Sequence, residues 1–241
     1  MNRFFLLYLT LFCLLASCSS SEKQSPDITD FSNLLLPAAK DGGFNMEDYW
    51  IWGGSAIKGP DGQYHLFASR WPKQYPFNQG YVYHSQVVHA VSEKPEGPYR
   101  FKDVALPRRP GYSLGPYRRA LQEPIATAIV EDPFVWKQDS TFYILAKDME
   151  GNITGEKHAG VFLTAKDLTQ WKLGENPKAY SRTVRWTDGT QTMQGSFERP
   201  QLLIQNGKPT HLFAATADGP GGFRNAENTW NMVVPLKQLE E

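Results

Sequence analysis

Three copies of one strand–turn–strand pattern constrain the fold of this chain more than any other feature of its sequence. The copies lie at residues 56–71, 134–149 and 201–216. In each copy a short apolar run leads to a polar turn, and a second apolar run follows it. The turns are centred on Asp61-Gly62, Asp139-Ser140 and Asn206-Gly207. Asp-Gly and Asn-Gly predict tight β-hairpins, because their residues tolerate positive φ angles.

Two of the hairpins are followed by a second pair of predicted strands. Residues 87–92 lead to Gly97-Pro98-Tyr99, and residues 160–165 lead to Trp171. Four antiparallel strands that recur at intervals of many tens of residues are typical of the blades of a β-propeller. No segment carries the sustained apolar periodicity of a long helix. We therefore predict an all-β chain with a propeller architecture, and an ordinary β-sandwich with similar hairpins is the alternative.

The spacing of the repeat is irregular in the middle of the chain. Gly115-Pro116-Tyr117 repeats Gly97-Pro98-Tyr99 only eighteen residues later. That interval is too short for the strands that should precede a second blade ending. We therefore predict an incomplete propeller, with one or two blades absent near residues 106–125.

The first eighteen residues have the features of a bacterial lipoprotein signal. Arg3 gives a positive start, residues 4–15 are apolar, and Leu15-Ala16-Ser17-Cys18 has the pattern of a lipobox. An apolar run of this length is too short to span a bilayer and is removed on export. We predict lipidation of Cys18 after cleavage. The alternative is an ordinary signal peptide with a chance cysteine.

This processing also predicts a location and a division of the chain. Ser19, rather than an aspartate, follows Cys18, which favours the outer membrane over retention at the inner one. We expect a protein of the cell envelope, attached to the membrane by lipid on its periplasmic or surface face. The predicted segments are a signal peptide at residues 1–17, a lipidated flexible tether at residues 18–30 and one domain at residues 31–241.

Charge and cysteine content exclude several classes of function. The chain has 25 basic and 25 acidic residues and a formal net charge of zero. Nucleic-acid binding needs a basic excess, so we expect no nucleic-acid partner. Cys13 leaves with the signal, so that a disulfide framework and a cysteine metal site are excluded in the domain. The five histidines lack a compact ligand spacing, and we predict no metal site.

Five short motifs lie at or near the starts and ends of the predicted strands: Trp52-Gly53-Gly54-Ser55, residues 67–72, Val130-Glu131-Asp132-Pro133-Phe134, Glu198-Arg199-Pro200 and residues 218–223. Together they resemble the motifs of family 43 and related glycoside hydrolases, and in particular those of a subgroup of bacterial lipoproteins. The resemblance covers residues 45–236 apart from the missing central part. It implies a five-bladed β-propeller with three carboxylates at the mouth of its channel. It also implies an exo-acting, inverting glycosidase for plant or algal oligosaccharides.

The resemblance assigns roles to named carboxylates. Glu198 matches the general acid, and Asp132 matches the carboxylate that tunes the acid and orients the substrate. Glu131 has the same spacing to its proline as Glu198 and competes with Asp132 for that role. In the family, an aspartate that acts as the general base stands where this chain has Trp52-Gly53-Gly54-Ser55. Asp48, a few residues upstream, is therefore our candidate for the general base. A base on an absent blade is the alternative, and the chain would then be inactive.

Aromatic and basic residues supply further candidates for substrate binding. Flat aromatic faces stack on sugar rings, and an arginine beside an aromatic suits an acidic sugar or a pair of hydroxyls. We therefore predict contacts to oligosaccharide from Trp52, Arg70, Trp71 and Glu131. The alternatives are core packing for the tryptophans and a structural ion pair for Arg70.

The sequence leaves three functional interpretations open. The first is the glycosidase, the second is a non-catalytic carbohydrate-binding lipoprotein, and the third is a truncated, inactive remnant. We predict no cofactor. Some related propellers hold an ion on the channel axis, and nothing in this sequence indicates one. Convergence of three carboxylates in one pocket would distinguish the first interpretation from the second.

Overall fold

The computed structural model describes residues 26–108, 130–168 and 170–239. Within these ranges the chain forms thirteen β-strands and one α-helix, α1 (Phe77–His84), with short 3₁₀ helices at Phe31–Leu34 and Phe223–Asn225. The strands are β1 (Tyr49–Lys58), β2 (Tyr64–Pro72), β3 (Gln86–Ser92), β4 (Arg100–Leu106), β5 (Val130–Gln138), β6 (Thr141–Asp148), β7 (Gly160–Ala165), β8 (Lys172–Tyr180), β9 (Thr183–Arg185), β10 (Gln191–Met193), β11 (Ser196–Gln205), β12 (Lys208–Ala217) and β13 (Thr229–Pro235). No helix in the described ranges is long and apolar enough to cross a membrane.

The strands form antiparallel sheets whose order follows the chain. The first sheet is β1-β2-β3-β4, the second is β5-β6-β7-β8, the third is β11-β12-β13, and β9 and β10 form a two-stranded ribbon. The all-β propeller prediction and the three predicted hairpins are confirmed. Cys18 and all but the first few residues of 106–125 lie outside the described ranges. Lipidation and the absent blades therefore stay predictions.

The turn residues explain why the second and third hairpins close where they do. Asn206 and Gly207 have φ angles of 51° and 76°, and the flanking Gln205 and Lys208 are paired. Positive φ at both central residues defines the type I′ turn that matches the twist of a hairpin. Asp139 has a φ of 50° in the two-residue turn between β5 and β6. Local turn chemistry thus fixes the register of these hairpins.

The first strand of each sheet carries the same irregularity. One extra residue is inserted relative to the second strand, and these bulge residues are Gly53, Asp132 and Arg199, with φ angles of 60°, 53° and 56°. The shifts in pairing lie between Trp52 and Gly54, between Glu131 and Phe134, and between Glu198 and Gln201. A β-bulge re-aims side chains and is over-represented beside active sites. The three bulge residues occupy equivalent positions in the three sheets.

The third sheet packs against both others. Its strand β11 contacts β1 on one side and β5 on the other. Ile51, Leu66 and Phe213 belong to the buried core between the first and third sheets. Tyr143 and Leu212 belong to the core between the second and third sheets. Burial on both faces of the third sheet brings the first strands of all three sheets close together.

The helix α1 was not predicted from the sequence. It lies between β2 and β3, and its only fully buried residue is Gly80. Phe77 at its start packs edge-on against Trp52 and Trp71, with ring centroids 4.9 and 4.8 Å apart. Because these aromatic contacts hold the helix in place, it needs no regular apolar stripe that a sequence pattern could reveal.

One hydrogen bond between sheets gives a test of the packing. The hydroxyl of Thr229 on β13 accepts from the backbone N–H of Ile51 on β1 at 2.9 Å, in a buried position. Thr229→Val keeps the shape and leaves this N–H without a partner, so we expect a loss of about 1–3 kcal/mol in the free energy of unfolding. Urea denaturation measures it. Thr187→Val, at an exposed position, is the matched control, and an equal loss in both variants would contradict the argument.

Candidate active site

A cleft opens where the bulges of the three sheets meet. It has a volume of about 320 Å³, and all three bulge residues, Gly53, Asp132 and Arg199, line it. Trp52 and Ser69 of the first sheet complete one wall. Only Asp132 and Arg199 carry charge among the lining residues that the structure describes. The bulges therefore deliver one acidic and one basic side chain to the same cleft.

A buried lysine gathers three carboxylates beside this cleft. Lys147 donates a hydrogen bond to Oε2 of Glu198, and its Nζ lies 3.0 Å from Oε2 of Glu131 and 3.7 Å from Oδ2 of Asp132. The side chains of Lys147 and Glu198 are each only 8% exposed. Lys147 is paired directly opposite Glu131 in the β5–β6 ladder, which explains why the two meet. The cluster joins the second and third sheets electrostatically.

Burial and neighbouring charges shift the pKa values of this cluster in identifiable ways. Burial raises the pKa of Asp132, with smaller raising contributions from Glu198 and Glu131, and these outweigh the lowering by Arg199 and Lys147. For Lys147, burial by itself lowers the pKa, but the hydrogen bond and charge of Glu198 more than offset it, so the pKa is raised. Lys147 is therefore charged throughout the neutral range, and Asp132 retains its proton to a higher pH than an ordinary aspartate.

Arg199 faces Asp132 across the cleft. Its Nε lies 3.9 Å from Oδ1 of Asp132, and its guanidinium carbon lies 5.9 Å from the ring centroid of Tyr81 on α1. Both Asp132 and Arg199 are non-glycine residues at positive φ, which is uncommon and concentrates at functional sites. The backbone thus directs two opposite charges at one place.

Four of the residues predicted from the sequence are brought together. Glu131, Asp132 and Glu198 surround Lys147 within the distances given above, and Trp52 lines the adjoining cleft. Trp52 is only 5% exposed, and its ring packs edge-on against Phe223 at 5.5 Å. Its accessible surface is therefore a narrow part of the wall rather than an open stacking platform.

The structure corrects the assignment of Arg70 and Trp71 to substrate binding. Arg70 is 7% exposed, and its guanidinium lies between the rings of Tyr49 and Phe101, 4.3 and 4.4 Å from their centroids. Its Nη1 also donates to the sulfur of Met46 at 3.3 Å. Trp71 is fully buried under α1. Neither residue lines the cleft, because both side chains are taken up by packing around the first sheet.

Asp48 lies apart from the cluster. It is an exposed residue in the turn before β1, and its backbone carbonyl accepts from the N–H of Lys73 at 2.9 Å. It does not line the cleft, whose equivalent position on the first sheet is occupied by Gly53. In the described part of the chain, the first sheet therefore contributes no carboxylate to the cleft.

Two charged residues of the site were not predicted from the sequence. They are Lys147 and Arg199. Aligning the three repeats offers the signal for Lys147, because Ser69 and Ala215 hold the equivalent place in the other hairpins. A long, charged side chain at a position that holds a small residue in the other two hairpins indicates a functional site. Arg199 likewise replaces Asp132 in the repeat, within Glu-Arg-Pro instead of Glu-Asp-Pro.

The loop after Lys147 is held by a single buried carboxylate. Asp148, fully buried, accepts hydrogen bonds from the backbone N–H groups of Gly151, Ile153 and Thr154 and from the hydroxyl of Thr154, at 2.9–3.0 Å. Burial by itself raises the pKa of Asp148, but these hydrogen bonds outweigh it, so its pKa is lowered. The loop thereby anchors the end of β6, where Lys147 lies.

This anchor predicts a pH-dependent stability. A lowered pKa means that the stabilisation is present above about pH 3.9, the ordinary value, and is lost as pH falls through the folded-state value. Asp148→Asn should cost about 1–3 kcal/mol of unfolding free energy at pH 7, and less below pH 4. Urea denaturation at both pH values, with hydrogen exchange of the loop, measures this. Asp41→Asn, at an exposed position, is the control, and a cost independent of pH would refute the role.

The described residues contain no group of three or more histidine, cysteine, aspartate or glutamate side chains that could hold a metal ion. In the cluster the ammonium of Lys147 contacts the carboxylates of Glu131, Asp132 and Glu198. The positive charge of this buried ammonium partly balances the negative charges of the three carboxylates around it.

The antiparallel sheets define a class: the chain has a β-propeller fold, and its solved structural neighbours are glycoside hydrolases with five-bladed propellers. The solved structures that share this fold include three with TM-scores of 0.50 to 0.53. They are the catalytic domain of the Coprinopsis cinerea GH62 α-L-arabinofuranosidase (11% identity, 86% of this chain and 98% of that chain, TM-score 0.50), a BT0996 RGII complex (8%, 90% and 93%, 0.53) and a glycoside hydrolase (8%, 90% and 93%, 0.51). No family model and no curated protein sequence matches the chain. At such identities the similarity defines the fold, and function has to be argued from the site.

Proposed function

We propose that this chain is a glycoside hydrolase that acts on plant or algal oligosaccharides, exo-acting and with inversion of configuration. The observation that carries the proposal is that Asp132, which lines the cleft, and Glu198, from a different sheet, both lie within 4 Å of the ammonium of Lys147. Glycoside hydrolysis requires a carboxylic acid that protonates the leaving oxygen, and a carboxylate that activates water or attacks the sugar.

The geometry favours Asp132 as the proton donor. It lines the cleft, and burial raises its pKa, so that it keeps its proton to a higher pH than an ordinary aspartate. Glu198 lies behind it and holds the ammonium of Lys147. The roles that the family resemblance implies, acid for Glu198 and modulator for Asp132, would then be exchanged. Glu198 would position Lys147, which in turn sets the charge around Asp132.

The described residues of the first sheet supply no carboxylate that could act as the base in the cleft. Asp48 lies outside the cleft lining, and Gly53 takes the place of a carboxylate on the first sheet. This observation favours a second candidate function, that of a carbohydrate-binding lipoprotein that keeps the cleft without hydrolysing its ligand. The two candidates differ in whether a sugar is released after it binds.

The test is the incubation of the purified full-length protein, in detergent, with a panel of plant and algal oligosaccharides. Release of a sugar that disappears in Glu198→Gln would support the hydrolase, and NMR of the first product would show whether its anomeric configuration is inverted. Binding without release, by a protein that is folded by circular dichroism, would support the second candidate. Gly53→Asp should then create hydrolysis, because it restores a carboxylate at the empty position. An unfolded protein would indicate the truncated remnant.

We also infer attachment to the cell envelope through lipid on Cys18. The support is the lipobox of the sequence, since Cys18 lies outside the described residues. In bacteria fed labelled palmitate, the protein should carry label and fractionate with outer membranes. Cys18→Ser should abolish the label, whereas Cys13→Ser, within the predicted signal peptide, should keep it. Label that persists in Cys18→Ser would exclude the inferred site.

A further inference from the structure

Arg199 is held in the cleft by its backbone. It is the bulge residue of β11, has a φ of 56°, lines the cleft, and keeps 40% of its side chain exposed. A left-handed residue in a strand does not follow the alternation of side chains, so its direction is set by the bulge and not by the core. A cation is therefore presented to whatever occupies the cleft.

The guanidinium of Arg199 has hydrogen-bonding capacity to spare. Its nearest anionic atom, Oδ1 of Asp132, lies 3.9 Å from Nε, which is beyond hydrogen-bond distance. No side chain or carbonyl of the described residues accepts a hydrogen bond from it. An arginine carries five N–H donors in a planar fork that matches a carboxylate bidentately. Lys147 cannot serve the same purpose, because Glu131, Asp132 and Glu198 already surround it.

The space beside Arg199 is kept open by Gly53. A Cβ built on Gly53 would have the side chain of Arg199 as its nearest neighbour, with Cδ at 3.6 Å. An acidic residue at position 53 could pair with Arg199. Because this position is a glycine, an anionic partner for Arg199 at this place has to come from a ligand. The other residues of the first sheet that line the cleft are also uncharged.

Tyr81 gives the guanidinium an aromatic wall. Its ring lies 5.9 Å from the guanidinium carbon of Arg199 and is 40% exposed, and it also contacts Trp71 at 5.4 Å between centroids. A cation near an aromatic face is stabilised without being neutralised, and the exposed part of the ring can stack on a sugar. The pair therefore combines a fork for an anion with a surface for a ring.

We propose that Arg199, supported by Tyr81, binds the carboxylate of a uronic acid residue, so that the ligands of the cleft are acidic oligosaccharides. The inference rests on the proposed function only in placing a sugar in the cleft, and it holds for a hydrolase and for a binding protein alike. Planar carboxylate matches the guanidinium fork, and the sugar ring that carries it lies within reach of Tyr81.

Calorimetry of the full-length protein with trigalacturonate and with its methyl ester tests the proposal, since the ester removes the charge and keeps the sugar rings. We expect the acid to bind roughly 10- to 100-fold more tightly than the ester, as for a hydrogen-bonded ion pair. Arg199→Gln should remove this preference, because it lowers affinity for the acid much more than affinity for the ester. Arg199→Lys should retain part of it, because charge remains without the fork. Arg100→Gln, at an exposed position of β4, is the control for net charge.

Several outcomes would overturn the inference. They are equal affinity for the acid and the ester, absence of binding to both, tighter binding of a sulfated oligosaccharide than of the uronate, or an equal loss for both ligands in a folded Arg199→Gln. The proposed function is judged separately by sugar release. Selective binding of the acid without release would sustain this inference and remove the hydrolase. Release from neutral oligosaccharides without a preference for acids would do the reverse.

Discussion

Lys147→Met is expected to destabilise the protein by about 3–5 kcal/mol at pH 7, because it leaves the buried carboxylate of Glu198 without its cation. Lys147 lies within 4 Å of Glu131, Asp132 and Glu198, and it is almost fully buried together with Glu198. Urea denaturation followed by circular dichroism measures the loss. Lys172→Met, at an exposed position of β8, removes the same charge without the cluster and should change stability by no more than about 0.5 kcal/mol.

The pH dependence of this loss identifies its cause. The pKa of Lys147 is raised, so its stabilisation is fully present below the ordinary lysine value and is lost only as pH rises through a still higher value. Between pH 5 and pH 8 the lysine stays charged, and a change in the loss must come from the carboxylates. In Lys147→Met these should take up protons more readily, so the loss should shrink towards pH 5. Glu198→Gln in the same variant should restore stability. A loss that is independent of pH would mean that packing, and not charge, is responsible.

Asp132→Asn should give a protein that is more stable at pH 7 and at least about 100-fold less active. Its raised pKa, due first to burial, means that the fold favours the protonated form. An uncharged asparagine therefore relieves an unfavourable ionisation, and asparagine tolerates the φ of 53°. The gain in melting temperature should disappear as pH falls and the wild-type Asp132 takes up its own proton. Under the proposed function, the loss of activity follows from the loss of the proton donor.

The control for this variant lies on the same hairpin. Asp139→Asn makes the same substitution at another positive φ, 50°, in the exposed turn between β5 and β6. It should leave both activity and its pH profile unchanged. An Asp132→Asn protein that is less stable than the wild type at pH 7 would show that its ion pairs outweigh its burial. One that retains activity would assign proton donation elsewhere, with Glu198 as the next candidate.

The strand pairs could be predicted from the sequence because their determinants are local. Asn206-Gly207 and Asp139-Ser140 favour one turn geometry, and the turn fixes which residues are opposite one another. The helix α1 escaped prediction because distant aromatic residues hold it. Arg70 was misassigned for a related reason. A strand-end arginine next to a tryptophan has the same sequence whether it faces a ligand or, as here, two aromatic rings.

The candidate site was predictable only in part. Glu131, Asp132 and Glu198 stand in visible motifs beside prolines, and they do converge. Their common partner Lys147 is 51 residues from Glu198 along the chain, so the pairing depends on how the second and third sheets pack. The three acidic residues can be recognised in the sequence, but the ion pairs that neutralise them cannot. That concealed contact changes which carboxylate is favoured to donate a proton.

The repeated bulge has a consequence for how such a protein can change. Gly53, Asp132 and Arg199 adopt nearly the same backbone conformation although one is neutral, one acidic and one basic. Strand pairing therefore does not depend on which side chain stands at these positions, provided that it tolerates positive φ. Single substitutions there can alter the charge of the cleft while the three sheets stay intact. The fold can therefore be conserved while the chemistry of the cleft changes, and the residues at these three positions determine much of that chemistry.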